Sequence, residues 1–115
     1  MHELAIAEDI LRIVRAELAD RKIQKAVRTV LFRAGKLSAV VPEILSFHFD
    51  VLKTDDPLLR EASLQVEEDP LRVSCPDCGT EAILEDPILI CRTCGSALSV
   101  QSGQGMWVEK ISLED

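Results

Sequence analysis

The chain has 115 residues, 47% of them hydrophobic, which suits one ordinary domain or a small core joined to a module held together by a metal ion. A formal net charge of −7, with three Phe, one Trp and no Tyr, argues against a nucleic-acid partner, because such binding needs clustered cations and stacking surfaces. No apolar run approaches membrane-spanning length, so we expect a globular protein without a membrane partner.

Hydrophobic periodicity predicts the first two elements. From Leu4 to about Ala19 apolar residues recur at helical spacing, which indicates an amphipathic helix that begins almost at the first residue. From Ile23 to Ala34 the pattern is rich in β-formers, so we predict a strand that ends at Gly35. Its alternation places Val30, Phe32 and Ala34 on one face and Val27, Thr29 and Leu31 on the other.

A second helix is predicted from Pro42, which suits the first helical position, to about Lys53. The sequence Asp55-Asp56-Pro57 ends it. One side of this helix carries Ile44, Leu45, His48, Phe49 and Leu52. Because His48 lies within that apolar stripe, we interpret it as a histidine packed in the core.

Two more strands complete the predicted main domain. Alternation indicates a half-buried strand over 62–67 and a closing strand over about 107–113, which comes after a turn at 102–105. The order of elements favours an α+β fold with two helices packed on a three-stranded sheet. Because residues 70–105 lie between two strands of that sheet, we predict a second, inserted domain there, with 1–69 plus 106–115 as the main domain.

Six cations succeed one another without an intervening acid: Arg21, Lys22, Lys25, Arg28, Arg33 and Lys36. We interpret this basic run mainly as a solvated helix end and an exposed strand face. Docking of an acidic protein partner is the alternative.

All four cysteines lie in two C-x-x-C-G hooks, at Cys75, Cys78, Cys91 and Cys94, with twelve residues between the hooks. Two such turns facing each other offer four thiolates for a tetrahedral structural Zn²⁺, and the whole resembles a zinc ribbon. Paired disulfides, a thioredoxin-like redox pair and rubredoxin-type iron are the alternatives. Four thiolates leave no open coordination position, so the function must lie elsewhere. The beginning Met1-His2-Glu3 shows no signal peptide, and we expect a cytoplasmic protein with reduced thiols.

The amino terminus offers a second metal site. The α-amine of Met1, the backbone nitrogen of His2 and the His2 imidazole are neighbours along the chain, and Glu3 adds an amide nitrogen or a carboxylate. Planar nitrogen coordination favours Ni(II) or Cu(II) over zinc. The first amides of a helix have no intrahelical acceptor, which leaves these nitrogens available. The competing interpretation is an exposed, frayed histidine.

Several motifs together resemble the HypA/HybF nickel metallochaperones. They are Met1-His2-Glu3-Leu4, Gly35-Lys36-Leu37-Ser38, Val41-Pro42-Glu43 with Leu45, Phe47 and Phe49, the paired hooks, and Ile111-Ser112-Leu113-Glu114. The chain departs from the family pattern at Ala34, Gly105 and Trp107, none of which is a proposed ligand.

This resemblance implies a nickel carrier that is not an enzyme. Nickel would be held by the α-amine of Met1, the imidazole and backbone nitrogen of His2 and the backbone nitrogen of Glu3, and the four cysteines would hold zinc. The implied partners are a nickel-insertion GTPase similar to HypB and the precursor of a nickel-iron hydrogenase large subunit, with urease as a further recipient. A zinc-ribbon adaptor and a rubredoxin-like electron carrier remain as alternatives. The oligomeric state stays open.

Overall fold

The computed structural model describes residues 2–115 and has an α+β architecture. Its regular elements are α1 (His2–Asp20), β1 (Val27–Gly35), α2 (Pro42–Leu52), β2 (Ser63–Asp69), β3 (Leu71–Ser74), β4 (Glu81–Leu84), β5 (Ser99–Ser102) and β6 (Met106–Leu113), with single 3₁₀ turns at Lys36–Ser38 and Lys53–Asp55. The strands form two three-stranded sheets, in the orders β2-β1-β6 and β4-β3-β5. The predicted fold class is confirmed. Among the described residues, no helix combines the length and the apolar character needed to cross a membrane.

Helix α1 buries one apolar stripe, formed by Ile6, Ala7, Ile10, Leu11, Val14 and Leu18. It ends in a Schellman motif, in which the amide of Ile23 donates to the carbonyl of Leu18 and that of Lys22 to Ala19. Lys22 takes the left-handed conformation that this motif requires, with φ of 54°. Because the motif uses the chain as far as Ile23, the next strand begins at Val27 and not at Ile23 as predicted.

Helix α2 starts at Pro42 and packs against α1. Leu45 and Phe49 are fully buried, as their helical spacing predicts. The prediction for His48 was wrong, since this side chain is only half-buried and its ring meets Phe47 edge to face. After α2, Asp56 accepts hydrogen bonds from Arg15 of α1 and from the amide of Leu58.

Strand β1 is the middle strand of the first sheet, and its buried apolar side chains are those of Val27, Val30, Phe32 and Ala34. The face of Val30, Phe32 and Ala34 is therefore buried as predicted, and Val27 is buried as well. Most cations of the basic run are paired within the protein: Arg21 with Glu17, Arg28 with Glu114 and Asp115, Arg33 with Glu67 and Glu109, and Lys36 with Glu68 and Glu85.

The second sheet was not predicted from the sequence. Strand β3 pairs antiparallel with β4 on one side and with β5 on the other, and its residues Leu71 and Val73 are buried. The chain divides into two compact units: the first holds the described residues up to Arg33 with Val40–Glu67 and Trp107–Asp115, and the second holds Ala34–Ala39 and Glu68–Met106. The predicted division into a main domain, 1–69 plus 106–115, and an inserted domain, 70–105, with their separate roles, stays a prediction.

The turn after β1 belongs to the second unit because it lies against Gly103. The amide of Gly35 donates to the carbonyl of Gly105 at 2.7 Å, and that of Leu37 donates to Gly103 at 2.8 Å. A Cβ on Gly35 would fall 2.3 Å from backbone atoms of Gly103, so only glycine fits at position 35. The Ser38 hydroxyl donates back to the Gly35 carbonyl and closes the turn.

Candidate metal centres

Each C-x-x-C-G hook forms the tight turn of an antiparallel pair. The first hook joins β3 to β4, and the second lies between the bridged residues Ile90 and Ala97. The hydrogen bonds of the two hooks match one another. In the first, the amide of Gly79 donates to the carbonyl of Cys75, and the amide of Cys75 donates to Thr80.

In the second hook, the amide of Gly95 donates to Cys91, and that of Cys91 donates to Ser96. The glycines have φ of +78° at Gly79 and +80° at Gly95, in the left-handed region. An added Cβ would meet nothing within 4 Å at either position. The turns therefore need a residue that tolerates the left-handed conformation, as glycine does best, and they do not need the space that a missing side chain leaves.

The two hooks bring the four predicted cysteines together. Their sulfur atoms all lie within 4.8 Å of one another. The Sγ atoms of Cys75 and Cys94 are 3.5 Å apart, those of Cys78 and Cys91 are 3.7 Å apart, and all four thiols are free. A Zn²⁺ ion with Zn–S bonds of about 2.3 Å has sulfur–sulfur distances of about 3.8 Å in a regular tetrahedron. The geometry therefore fits a four-coordinate metal ion and not a pair of disulfides.

The local backbone favours thiolates in this cluster. The N–H groups of Cys94 and Thr93 lower the pKa of Cys91 to about 6, and the hydroxyl and N–H of Thr80 lower the pKa of Cys78. The N–H of Cys78 favours the thiolate of Cys75 too, but burial and the adjacent sulfurs of Cys94 and Cys78 raise the pKa of Cys75 to about 11. Four thiolates so close together repel each other, and a divalent cation at their centre relieves that repulsion.

The donor set is typical of zinc or of iron bound by four thiolates. Cys75 and Cys91, the first cysteine of each hook, are buried, whereas Cys78 and Cys94 are exposed. Because all four positions of a tetrahedral ion would be taken by protein sulfur, the cluster can hold the fold together but offers no place for a substrate.

The predicted amino-terminal site lies at the start of α1, and its first residue, Met1, is outside the described part of the chain. His2 is exposed. The carboxylate of Glu3 accepts a hydrogen bond of 3.2 Å from the amide of Val41, the residue that precedes α2. This N–H, and then the amide of Glu3 itself, lower the pKa of the Glu3 carboxyl group.

The contact between Glu3 and Val41 was not predicted. The two residues are 38 positions apart, and a backbone donor leaves no signal in the sequence. Within residues 2–115, the four cysteines form the one cluster of three or more His, Cys, Asp or Glu ligand atoms. An amino-terminal metal site would therefore depend on backbone nitrogen in addition to side chains.

Comparison with known proteins identifies the family. Residues 1–113 match the family model described as hydrogenase/urease nickel incorporation, metallochaperone, hypA. The chain is 40% identical over 119 residues to hydrogenase maturation factor HypA of Solidesulfovibrio magneticus, covering 99% of this chain and 100% of that protein. It is 37% identical over 116 residues to the same factor of Desulfatibacillum aliphaticivorans, covering 100% of this chain and 88% of that one.

Solved structures share the fold at low sequence identity. The solution structure of the Ni metallochaperone HypA from Helicobacter pylori superposes with a TM-score of 0.67 at 16% identity, covering 96% of each chain. A second solution structure, of a HypA protein, gives a TM-score of 0.72 at 16% identity and covers 99% of this chain and 97% of that one. The family resemblance noted in the sequence is thus confirmed, and the chain belongs to the HypA family of nickel metallochaperones for hydrogenase and urease.

Proposed function

We propose that this protein binds Ni(II) at its amino terminus and delivers it to the precursor of a nickel-iron hydrogenase large subunit, or to urease, and that it catalyses no reaction itself. The observation that carries the proposal is the position of His2 and Glu3 in the first turn of α1. There the amide nitrogens have no intrahelical acceptor, and the imidazole of His2 is exposed to an incoming ion.

In the proposed site, nickel is held by the α-amine of Met1, the imidazole and backbone nitrogen of His2 and the backbone nitrogen of Glu3. These four nitrogens form the planar set that Ni(II) prefers, with loss of the amide protons. The carboxylate of Glu3 has a different task, because it is already engaged by the amide of Val41. It ties the start of α1 to the start of α2, and its negative charge offsets the positive end of the helix dipole.

The second metal ion in the proposal is a structural Zn²⁺ bound by Cys75, Cys78, Cys91 and Cys94. Its support is the set of sulfur–sulfur distances, 3.5 and 3.7 Å, and the closed donor set. When it is bound, zinc supplies folding energy for the second unit. Because its four ligands are all protein sulfur, this site does not take the nickel cargo, which we place at the amino terminus.

The proposed setting is the cytoplasm, where the protein would receive nickel and meet a nickel-insertion GTPase similar to HypB. Support comes from membership of a family of hydrogenase and urease nickel-incorporation factors. Neither metal site needs an oxidising compartment, since the cysteines are required as thiolates.

Nickel titration of protein with a verified native amino terminus tests the proposal. His2→Ala, or one extra residue before Met1, should weaken nickel binding by at least about tenfold, because each change removes a nitrogen ligand. The other histidine gives a matched control, since His48 is half-buried on α2, and His48→Ala should leave the affinity unchanged. Equal affinity in the native protein, His2→Ala and the extended variant would contradict the proposed nickel role.

A further inference from the structure

A groove of about 480 Å³ lies in the first unit between α1 and β6. On the α1 side it is lined by Ile13, Leu18 and Ile23, and on the β6 side by the consecutive residues 108–111 and by Leu113. Successive side chains of a strand point to opposite faces of its sheet. A groove that touches four strand residues in a row therefore runs along the edge of β6 and not over one of its faces.

That edge is open within the sheet. In the order β2-β1-β6, strand β6 has β1 on one side and no strand on the other among the described residues. Every second residue of the eight in Met106–Leu113 directs its backbone N–H and C=O groups to that outer side. Such an edge is a template for a strand from another chain, unless its charges exclude the incoming sequence.

The charges at the groove favour an acidic strand. Lys110 and Arg21 line the groove, but Arg21 is paired with Glu17. Within the described part of the chain, Lys110 and the exposed Lys22 and Lys25, which come after Arg21 in the sequence, have no ion-pair partner. The two acids of the lining are already engaged, Glu17 by Arg21 and Glu109 by Arg33. The unpaired positive charges at the groove and next to it in the sequence are therefore Lys110, Lys22 and Lys25, on a protein whose net charge is −7.

The opposite edge of the same sheet has the reverse character. Strand β2 ends with Glu67, Glu68 and Asp69; the first two are paired with Arg33 and Lys36, and the carboxylate of Asp69 would repel an acidic segment. Apolar contacts support the choice of β6 as well, because Ile13 is 42% exposed beside the groove and Ile111 is half-buried in its lining. These side chains can receive the apolar residues of an alternating strand.

We propose that the free edge of β6 is a docking site for an extended segment of a partner protein in which acidic and apolar residues alternate. The segment adds to the sheet as a fourth strand, its backbone pairs with β6, its apolar residues enter the groove, and its carboxylates meet Lys110 and the cations located just after α1. None of the residues that line the groove is a ligand in either proposed metal centre, so we expect its occupation not to depend on nickel.

Defined peptides test this proposal on the full, zinc-loaded chain. The probe is a nine-residue peptide of alternating Glu and Val, titrated while the backbone amides are monitored by NMR. We expect amide shifts concentrated in 108–113. The same peptide with alternate amides N-methylated should bind at least about tenfold more weakly, because it cannot form hydrogen bonds with the edge strand. A peptide of alternating Lys and Val should also bind at least about tenfold more weakly than the acidic peptide.

Protein variants separate the charge from the fold. We expect the affinity for the acidic peptide to fall at least about fivefold in Lys110→Glu and also in the double variant Lys22→Glu with Lys25→Glu. Nickel binding should stay unchanged in both. Arg60→Glu is the matched control, since Arg60 is an exposed cation outside the groove lining, and it should bind the peptide normally. Circular dichroism verifies that each variant is folded, and the peptide series on the unaltered chain decides the matter if one is not.

Three results would overturn the inference. The first is equal binding of the acidic, basic and N-methylated peptides, and the second is amide shifts outside β6 and the groove. The third is a dimer that sedimentation detects without any peptide and whose formation shifts the β6 amides in NMR. In the last case the edge would belong to a second copy of this chain.

Discussion

The contact between Gly35 and Gly103 gives a prediction whose size can be worked out from the structure. Gly35 has φ of −65° and ψ of 148°, which any residue can adopt, so replacing it by alanine brings no conformational strain. The added Cβ would lie 2.3 Å from the carbonyl carbon and oxygen of Gly103 and 2.7 Å from the nitrogen of Gln104. All three are backbone atoms, and they cannot rotate away as a side chain would.

The two segments must therefore separate. A favourable carbon–carbon contact needs about 3.5 Å, so the shift is about 1.2 Å from the present 2.3 Å. The hydrogen bonds from Gly35 to Gly105 and from Leu37 to Gly103, now 2.7 and 2.8 Å, would then exceed hydrogen-bonding distance. Two bonds at about 1 kcal/mol each, with a further contribution from overpacking, give a destabilisation of about 2–4 kcal/mol for Gly35→Ala.

Denaturant unfolding of the zinc-loaded protein measures this loss, and hydrogen exchange at the Gly35 and Leu37 amides locates it. The matched control is Gly79→Asn, because Gly79 has open space around it and asparagine tolerates its left-handed backbone. We expect that larger side chain to cost under about 1 kcal/mol. If Gly35→Ala stayed within about 0.5 kcal/mol of the parent with both amides protected, the steric reasoning would be refuted.

Three further predictions concern stability. Chelation of zinc should unfold residues from about 73 to 100, because folding energy on the order of 10 kcal/mol comes from such a metal, and unchanged circular dichroism after chelation would contradict this. Lys22→Gly should raise the free energy of unfolding by up to about 1 kcal/mol, since glycine adopts the left-handed φ of 54° without strain; calorimetry that shows a lower melting temperature would count against it. Asp56→Asn should cost about 1 kcal/mol at pH 7, a value reduced for the partly exposed Arg15. Burial opposes the ionised form of Asp56, but the hydrogen bonds from Arg15 and from the amide of Leu58 outweigh burial and lower the pKa of Asp56. The stability that ionised Asp56 contributes is therefore present above about pH 4 and is lost as the pH falls. The unfolding curves of the parent protein and of Asp56→Asn should accordingly converge in acid.

Much of the first unit was predictable because its elements are long and periodic. The stripe of α1, the start of α2 at Pro42 and the buried face of β1 can be derived from spacing and capping preferences. The start of β1 was predicted too early, since a lysine in the left-handed conformation ends α1 at a position where glycine would have been the usual signal.

The second sheet could not be predicted in the same way. Strands β3, β4 and β5 have four residues each, too few for alternation to stand out, and β4 is mostly exposed. The cysteine cluster was predictable, because ligand type and spacing alone define it. The engagement of the Glu3 carboxylate was not, since its partner is a main-chain group of Val41 that any residue other than proline would supply.

The location of His2 and Glu3 in the opening turn of α1 has a consequence for the release of cargo. Their amide nitrogens lie outside the ladder of bonds that holds a helix together, so an ion gripped there, as we propose, could be taken away by a recipient without unwinding the later turns of the helix. Exchange would involve only the first turn of α1, and the carrier could be emptied and refilled while the buried stripe of that helix stayed packed.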